Sequence, residues 1–489
     1  MNHKCTAVIR NLLVLGSFCL GSNVLAQTAT IDMASEKQLI RGFGGMNQTA
    51  FPGDITNAQA EKAFGNGAGQ LGFSILRIHV NPNSGSFSKE LATAKIAKSH
   101  GAIIFASPWS PPSSMKTNNN QVGGSLKTAS YGAYAAHLKS FCDYMSTNGV
   151  PLYAISVQNE PDITVTYESC DWTSAQMIDF LNNHRDAIGT TKVIAPESFQ
   201  FRKPFSDAIL NDAKAVTKVD IIGAHIYGGG LTDYPLARQK GKEVWMTEHY
   251  TTSNRSANLW PDALEVGKEM HDCMLANYNA YVWWYIRRSY GPIDDNSSVT
   301  KRGYVMGQFS KFVRPGFVRV DATAAPVSNV NVSAFKSDTN LVVVIVNKNT
   351  SAKSQQITIK SGAVSSFSQY TTSSSKNISS DGTVAVSGGT CTVSLDAQSI
   401  TTLTGRLNSV DIHNSSQNDL NHRTRQVQLS DKNDILRSDA AVYDLRGNVV
   451  KRQSTDNAVS KPNATRNGVY VVKSEKTGGA KFMKVILDK

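Results

Sequence analysis

Cysteine is scarce in this sequence of 489 residues, and its six cysteines form no Cys-x-x-Cys pair. The chain also contains no His-Glu-x-x-His motif, and no glycine-rich phosphate loop follows its first predicted strand. These absences argue against a disulfide framework, a zinc-protease centre and a dinucleotide-binding fold. One disulfide is possible among Cys142, Cys170, Cys273 and Cys391, but the sequence does not decide whether Cys142 and Cys170 pair.

Long apolar runs are absent beyond the amino terminus. Residues 1–26 contain Lys4 and Arg10, then an apolar stretch near 12–20, then Val-Leu-Ala. This arrangement predicts a secretory signal peptide that is cleaved after Ala26. The alternative, a membrane anchor, would need about 20 unbroken apolar residues. We therefore expect a secreted or cell-surface protein without a membrane span.

Acidic residues are fewer than basic residues, so the precursor carries a net charge of +12. This charge falls to +10 when Lys4 and Arg10 leave with the signal peptide. A basic surface could bind an acidic polymer, nucleic acid or a membrane surface, or could simply keep the protein soluble. Nucleic acid is disfavoured as a partner, because the chain has no clustered basic helix and no aromatic–basic motif.

Short apolar segments alternate with amphipathic, helix-like stretches between residues 42 and 314. The predicted strands are 42–46, 74–80, 102–110, 152–160, 192–198, 220–227, 243–250 and 280–289. The helix-like stretches include 55–65, 88–100, 131–148, 174–188, 261–278 and 304–313. Eight such units with nearly continuous apolar strands predict an α/β fold, a closed (β/α)8 TIM barrel. An open doubly wound sheet is the alternative, but it would carry a phosphate loop.

The pattern changes to a period of two from about residue 315, which predicts an all-β side domain over 315–406. Residues 407–424 are polar and weakly patterned, and we expect a linker there. Strand patterning resumes in 425–489, which predicts a small, basic C-terminal β domain.

Two predicted barrel strands end in a glutamate. The stretch YAISVQNEPDI, 153–163, is apolar until it reaches Asn159, Glu160 and a proline, and EVWMTEHY presents Glu248 at its end. In a TIM barrel the carboxyl ends of the strands form the functional face. We therefore expect the two glutamates, on strands four and seven of the barrel, to face each other across its mouth.

Paired carboxyl groups about 5–5.5 Å apart can cleave a glycosidic bond with retention. Like charges this close cannot both ionise easily, so the pKa of one carboxyl is pushed up. The hypothesis is that Glu160 is the acid/base and Glu248 the nucleophile, and that Asn159 hydrogen-bonds the sugar 2-hydroxyl. Strict strand alternation would aim Asn159 away from Glu160, so regular strand geometry must break there.

Aromatic residues accumulate near the same strand ends, where sugar rings could stack or the barrel could pack; they are Trp109, Tyr227, Tyr250, Trp283 and Trp284. In the last barrel strand Trp284, Arg288 and Tyr290 share one parity, and Arg287 has the other. Only one of the two arginines should therefore enter the mouth, where it could bind a carboxylate of the substrate. The alternative is a local ion pair with Asp294 or Asp295.

Taken together, the stretches RGFGGMN, QLGFSILRIHV, IFASPWSPPSSM, YAISVQNEPD, VIAPESFQ, VWMTEHYTTS and AYVWWYIRRSYGPI resemble glycoside hydrolase family 30, in its bacterial glucuronoxylanase branch. The resemblance covers about residues 30–406. It implies a barrel with a β side domain that also includes an N-terminal strand, 27–41. The implied activity is a secreted, retaining endo-β-1,4-xylanase that is positioned on glucuronoxylan by a (4-O-methyl)glucuronosyl branch.

The resemblance also assigns residues. It implies that Glu160 is the acid/base and Glu248 the nucleophile, in agreement with the strand-end argument. The branch-binding residues that it implies are Tyr250, Ser253, Arg288 and Tyr290. The implied xylose-binding residues are Trp109, Asn159, Tyr227 and Trp284. One departure is Phe51, where the relatives have tryptophan, and it could weaken stacking at one subsite.

Several expectations concern what the enzyme works with. No cofactor or metal is expected, and His79, His225 and His249 are interpreted as structural histidines because their spacing fits no metal motif. The block 425–489 resembles C-terminal sorting domains of type IX secretion, and a carbohydrate-binding or attachment module is the alternative. We expect a monomer, with the secretion machinery as a further partner.

Two other functions compete with this interpretation. A second enzyme hypothesis keeps both glutamates but acts on undecorated xylan or a β-glucan, with Arg288 in a structural role. A different class is a non-catalytic polysaccharide-binding surface protein.

Overall fold

A computed structural model describes residues 28–251 and 255–408, together with the strands 441–444, 449–451, 468–476 and 479–487. The chain forms two compact units, 1–410 and 411–489. The predicted signal peptide lies outside the described residues, as do Ser253 and most of the predicted linker.

Strand β1 (Ala29–Leu39) precedes a closed barrel of eight parallel strands, in which each strand pairs with the next and the last pairs with the first. The barrel strands are β2 (Gly42–Asn47), β3 (Ile75–His79), β4 (Ile103–Ser107), β5 (Ala154–Ser156), β6 (Lys192–Ser198), β7 (Ile221–His225), β8 (Glu243–His249) and β9 (Ala280–Tyr285). The predicted TIM barrel is confirmed, and the doubly wound alternative is excluded.

Helices separate most of these strands. They are α1 (Asn57–Phe64), α2 (Leu91–Ser99), α3 (Tyr131–Thr147), α4 (Ser174–His184), α5 (Lys203–Asn211), α6 (Ala215–Lys218), α7 (Pro235–Gln239), α8 (Asp262–Leu275) and α9 (Lys301–Ser310). Short 3-10 turns cover Ser84–Glu90, Ser113–Met115, Thr128–Ser130 and Arg185–Ile188. Helices α1 and α4 begin with capping boxes, in which a threonine and the glutamine three residues later bond each other's backbone N–H groups.

Both faces of the barrel strands are buried, which explains their continuous apolar character. The barrel interior is filled by Ile75, Phe105, Ala154, Ile194, Ile221, Trp245, Ala280 and Val282. A larger core lies outside the strands, between barrel and helices. The packed interior supports the carboxyl ends of the strands, where side chains can project into a cleft.

A nine-stranded sheet packs beside the barrel. Its further strands are β10 (Val318–Ala322), β11 (Val330–Lys336), β12 (Asn340–Asn347), β13 (Lys353–Lys360), β14 (Ser366–Thr372), β15 (Ser379–Ala385), β16 (Thr390–Leu395) and β17 (Ser399–Arg406). Strand β1 lies between β10 and β13 in this sheet. The predicted β side domain is therefore present, and the N-terminal strand belongs to it.

The strand predicted over 152–160 is much shorter in the structure. Strand β5 ends at Ser156, and the backbone of Glu160 has a φ of +44°. The apolar pattern extends beyond the strand because residues 157–160 are buried in a bend. Regular alternation is thus lost before Asn159, as the hypothesis for the two neighbouring side chains requires.

The second unit contains a four-stranded antiparallel sheet of β18 (Ala441–Asp444), β19 (Val449–Lys451), β20 (Gly468–Lys476) and β21 (Gly479–Leu487), in the order β19-β18-β20-β21. Elsewhere in the described chain, Cys142, Cys170, Cys273 and Cys391 are buried free thiols. None of the described helices has the length and apolar character needed to cross a bilayer.

Candidate active site

The two predicted catalytic glutamates meet at the mouth of the barrel. Glu160 follows β5 and Glu248 lies near the end of β8, and both are 4% exposed. One carboxylate oxygen of Glu160 lies within 4.8 Å of one of Glu248. This separation is close to the spacing of about 5–5.5 Å that a retaining pair uses.

The backbone around Glu160 is held by two neighbouring strand ends. The Asn159 N–H donates to the carbonyl of Pro108 at 2.9 Å, and the Glu160 N–H donates to the carbonyl of Glu197 at 3.1 Å. These bonds replace the ladder that ends with β5, and Pro161 can follow because no further ladder N–H is needed.

Arg77 contacts the predicted catalytic groups through its guanidinium. Its guanidinium is fully buried at β3 and donates to Glu248 through Nη1. Its Nη2 donates to Asn159 Oδ1 at 2.6 Å and lies 3.2 Å from Glu197 Oε1. The contact with Arg77 fixes the Asn159 amide so that its NH2 group is directed away from the guanidinium. The ring of Trp109 lies 4.8 Å from the Arg77 guanidinium carbon and adds a cation–π contact.

Each carboxyl group has further partners. The Tyr227 hydroxyl donates to Glu248 Oε1 at 2.9 Å, so both oxygens of Glu248 accept hydrogen bonds. The Tyr167 hydroxyl donates to Glu160 Oε2 at 3.2 Å, and His225 Nδ1 lies 2.9 Å from Glu160 Oε1. His225 was interpreted as structural from the sequence. The structure instead places it against the predicted acid/base.

Burial and charge set the protonation states. Burial and the charge of Glu160 raise the pKa of Glu248, although His225 and Arg77 oppose them. The glutamate pair therefore retains a proton more strongly than a solvated carboxylate would. Burial lowers the pKa of His225, but Glu248, Glu160 and Glu197 outweigh it and raise that pKa to about 9. His225 is therefore an imidazolium at neutral pH.

Among the described residues, Glu160, His225 and Glu248 form the group whose ligand atoms come close enough to hold an ion. The group is poorly suited to a cation, because the Arg77 guanidinium already neutralises Glu248. A protonated imidazole also offers no lone pair to a metal. The arrangement fits acid–base and nucleophilic chemistry instead.

The predicted aromatic residues form two groups. Trp109 and Trp284 lie with ring centroids 5.7 Å apart, and Trp109 also packs edge-on against His79. Tyr250 stacks on Tyr290 at 5.0 Å and meets Tyr227 at 5.5 Å. Trp283 is fully buried in the outer core, so packing explains it.

The two neighbouring arginines have different surroundings, although strand parity does not explain the difference because β9 ends at Tyr285. Arg287 Nη2 donates to the carbonyls of Pro52 and Gly53, and its Nη1 lies 3.6 Å from Asp295. Arg288 is exposed and lies 5.4 Å from the ring centroid of Tyr285. Burial raises the pKa of Tyr290, and the nearby Arg288 opposes this shift. The local ion pair considered for these arginines is therefore made by Arg287.

A further cleft lies on the Glu160 side of the mouth. It has a volume of about 340 Å³ and includes Glu168, which follows the Tyr167 that donates to Glu160. Its lining consists of Ala50, Phe51, Asn81, Pro82, Gln121, Val122 and Glu168. Phe51 is 46% exposed there, so its ring is accessible to a ligand.

Sequence reasoning missed three residues of the centre, and two of them had a signal in the sequence. Arg77 is a charge inside an apolar strand, and Glu197 is a third glutamate at a strand end. Tyr167 lies in a loop, where no periodicity could mark it. His79 and His249 also contact carboxylates, Glu168 at 3.1 Å and Glu269 at 2.8 Å, and their interpretation as structural stays a prediction.

Comparisons with known proteins agree with this geometry. A family model described as the glycosyl hydrolase family 30 TIM-barrel domain matches residues 91–247. Glucuronoxylanase XynC of Bacillus subtilis (strain 168) is 49% identical over 388 residues, which cover 77% of this chain and 91% of that protein.

Solved structures give the same result. Xyn30A, a glycoside hydrolase family 30 subfamily 8 xylanase from Clostridium acetobutylicum, is 42% identical with a TM-score of 0.74. A GH30 endoxylanase from Clostridium papyrosolvens C71 is 41% identical with a TM-score of 0.71. Each alignment covers 78% of this chain and 100% of the other.

Proposed function

Since this chain belongs to glycosyl hydrolase family 30, we propose that it is an endo-β-1,4-xylanase that cleaves glucuronoxylan with retention. It is a glycoside hydrolase, and the relatives that support the xylan substrate are XynC and the two clostridial xylanases. The single observation that carries the mechanism is the pair of buried glutamates at the barrel mouth, with one carboxylate oxygen of each within 4.8 Å of the other.

In the first step, Glu248 attacks the anomeric carbon while Glu160 gives its proton to the departing glycosidic oxygen. The bond to the leaving chain breaks, and a glycosyl ester forms on Glu248. Glu248 accepts hydrogen bonds from Arg77 and Tyr227, so an ionised Glu248 has a donor for each of its oxygens. Asn159, oriented by Arg77, is suited to donate to the sugar 2-hydroxyl.

In the second step, water attacks the same carbon and gives its proton to Glu160, and Glu248 leaves as a carboxylate. Esterification has removed the negative charge of Glu248, so Arg77 and His225 then favour the ionised form of Glu160. Two inversions at one carbon give net retention.

The branch is proposed to bind on the other side of the mouth. Arg288 is an exposed cation beside Tyr290, which stacks on Tyr250. A guanidinium can hold a carboxylate through two parallel hydrogen bonds, and a glucuronosyl group supplies that carboxylate. Ser253 belongs to the proposed branch site through the family resemblance alone.

Paired arginine variants test the branch proposal. Arg288→Ala should lower kcat/KM on glucuronoxylan by about 10- to 100-fold, the value of hydrogen bonds to a charged group, and should leave activity on linear xylan nearly unchanged. The matched control is Arg287→Ala, which removes contacts to the Pro52 and Gly53 carbonyls and should lower both activities together.

An equal loss on the two substrates in Arg288→Ala would favour the alternative, a glycosidase for undecorated chains. Mass analysis of the products gives a second criterion. A uniform offset between the branch and the new reducing end is expected if Arg288 positions the cut.

The location of the enzyme is also a proposal. The leader in residues 1–26 supports export, and the resemblance of 425–489 to sorting domains supports release or attachment by a type IX system. Amino-terminal sequencing of the mature protein should then identify Gln27 as its first residue. The protein is expected to be a monomer in solution.

A further inference from the structure

A third glutamate, Glu197, is buried beside the proposed catalytic pair. Its side chain is 0% exposed at the carboxyl end of β6. Double displacement requires two carboxyl groups, so the chemistry alone gives Glu197 no role. A buried carboxylate destabilises the folded state unless it is paired, so the presence of Glu197 at the reaction centre needs a physical cause.

The backbone aims this side chain inward. Pro196 pairs with Gly223 of β7 while Ser198 pairs with Ala224, so Glu197 is the extra residue of a β-bulge. Its φ is +56°, which is uncommon for a residue with a side chain. A Cβ on Gly223 would lie 2.7 Å from Glu197 Cγ, so glycine on the neighbouring strand leaves the space that the glutamate occupies.

Glu197 contacts the catalytic pair through shared partners. Its Oε1 lies 3.2 Å from Arg77 Nη2 and 3.9 Å from His225 Nε2. Arg77 also binds Glu248, and His225 Nδ1 also contacts Glu160. The backbone carbonyl of Glu197 accepts from the Glu160 N–H.

We propose that Glu197 is a positioning residue whose permanent negative charge, acting through Arg77 and His225, keeps one proton on the Glu160–Glu248 pair. The inference deepens the proposed function and rests on its assignment of acid and nucleophile. Glu197 touches neither the substrate nor the reacting atoms in this account.

A charge count explains the effect. Burial raises the pKa of Glu197, but Arg77 and His225 outweigh it and lower that pKa to about 2. The centre therefore holds two fixed cations, Arg77 and His225, and one fixed anion. If Glu160 and Glu248 were both ionised, the buried centre would carry a net charge of −1, whereas one retained proton makes it neutral.

Without the charge of Glu197, the two cations would balance a doubly ionised pair, and the pair would release its proton more readily. The tyrosine hydroxyls that contact the glutamate pair from other elements do not replace the negative charge of Glu197. Burial raises the pKa of the Tyr167 and Tyr227 hydroxyls, so both tyrosines are neutral. The first step of retention needs a protonated Glu160, so Glu197 extends activity towards higher pH.

The test is the pH dependence of kcat/KM on glucuronoxylan for Glu197→Gln and Glu197→Asp. Removing the charge should move both limbs of the profile to lower pH by about one unit, because loss of a nearby anion favours the ionised forms of the pair. The Asp variant keeps the charge, so its profile should stay near that of the wild type although its kcat/KM falls.

A purely structural Glu197 would give a different result. Glu197→Gln would then be less stable, and its kcat/KM would fall by the same factor at every pH. A pH profile of kcat/KM that does not shift in Glu197→Gln overturns the proposal. An Asp profile that shifts as far as the Gln profile overturns it as well, since charge would not be the cause.

A second measurement does not depend on turnover or on the folding of a Glu197 variant. In the wild-type protein, 15N NMR of the His225 side chain should show both ring nitrogens protonated at pH 7.5; His225→Gln identifies the signal. A neutral His225 contradicts the charge count. Absence of glucuronoxylan hydrolysis by the wild type would instead refute the proposed function and leave the NMR result standing.

Discussion

Glu90 is a buried carboxyl group outside the catalytic centre, and it accepts a hydrogen bond from the Thr49 hydroxyl. Burial raises its pKa to about 8, helped by the charge of Asp54 and opposed by the bond from Thr49. A carboxyl with a raised pKa binds its proton more tightly in the folded state than in the unfolded state. The free energy of unfolding therefore falls as the pH rises from 4.5 towards 8.

Glu90→Gln should remove this pH dependence, since the amide resembles the protonated acid. We expect the variant to be more stable than the wild type at pH 8 by about 2–4 kcal/mol, and equally stable near pH 4. Urea unfolding at both pH values measures the difference. The control is Glu265→Gln, an exposed glutamate paired with Lys348, for which the two pH values should give the same small change. A Glu90→Gln variant without added stability at pH 8 would contradict the account.

Single residues of the site were predictable where strand ends carried the signal. Glu160 and Glu248 were found because each ends an apolar stretch of the sequence. The parity argument for Arg287 and Arg288 lost its basis, because β9 ends at Tyr285 and strand alternation does not reach the two arginines. Glu197 also lies at the end of an apolar strand, but the predicted mechanism requires only two glutamates, so a third was not sought. The sequence could not predict that it points inward, because that direction depends on a β-bulge.

At the scale of elements, strands β2 and β3 approach each other very closely at Gly44. A Cβ on Gly44 would lie 1.8 Å from the carbonyl oxygen of Ile75, which is backbone and cannot move aside. The glycines of β2 are therefore required by the close approach of the neighbouring strand. The barrel closes through this strand, because β2 also pairs with β9.

Gly44→Ala should destabilise the protein by about 3 kcal/mol or more, since the added methyl group overpacks a closed barrel. Thermal unfolding monitored by circular dichroism measures the loss. The matched control is Gly229→Ala in the loop after β7, where a Cβ meets nothing within 4 Å and a small change is expected. Equal melting temperatures for the two variants would show that β2 can move away from β3.

The predicted element boundaries followed the apolar pattern of the sequence. They were least accurate where buried residues lie outside a strand. Strand β5 has three residues although nine were predicted, because the bend after Ser156 is as buried as the strand. The short helices α6 and α7 were not singled out, since four or five residues are too few to show a 3.6-residue period.

At the scale of the whole 1–410 unit, one face of the nine-stranded sheet joins the apolar cluster that surrounds the barrel, and the sheet also has an apolar cluster of its own. Val346 and Ile400 of the sheet face Gly267 of α8, and the Thr402 hydroxyl donates to the carbonyl of Gln308 in α9 at 2.7 Å. The period-two pattern predicted strands there, but it could not predict their order. Strand β1 pairs with β10 and β13, which lie roughly 300 residues further along the chain. The family resemblance indicated that the N-terminal strand joins this sheet, but not its place in the strand order.

The account of the whole molecule depends on one stereochemical outcome. One oxygen of Glu160 lies within 4.8 Å of one oxygen of Glu248, a spacing that suits a retaining pair better than an inverting pair with a water between the carboxyl groups, so the account has the sugar bond to Glu248 first. The most direct measurement is a 1H NMR time course of glucuronoxylan hydrolysis that identifies the first anomer released. The β-anomer should appear first and convert slowly to the α-anomer by mutarotation. Initial release of the α-anomer would show inversion and would contradict the assigned roles of Glu160 and Glu248.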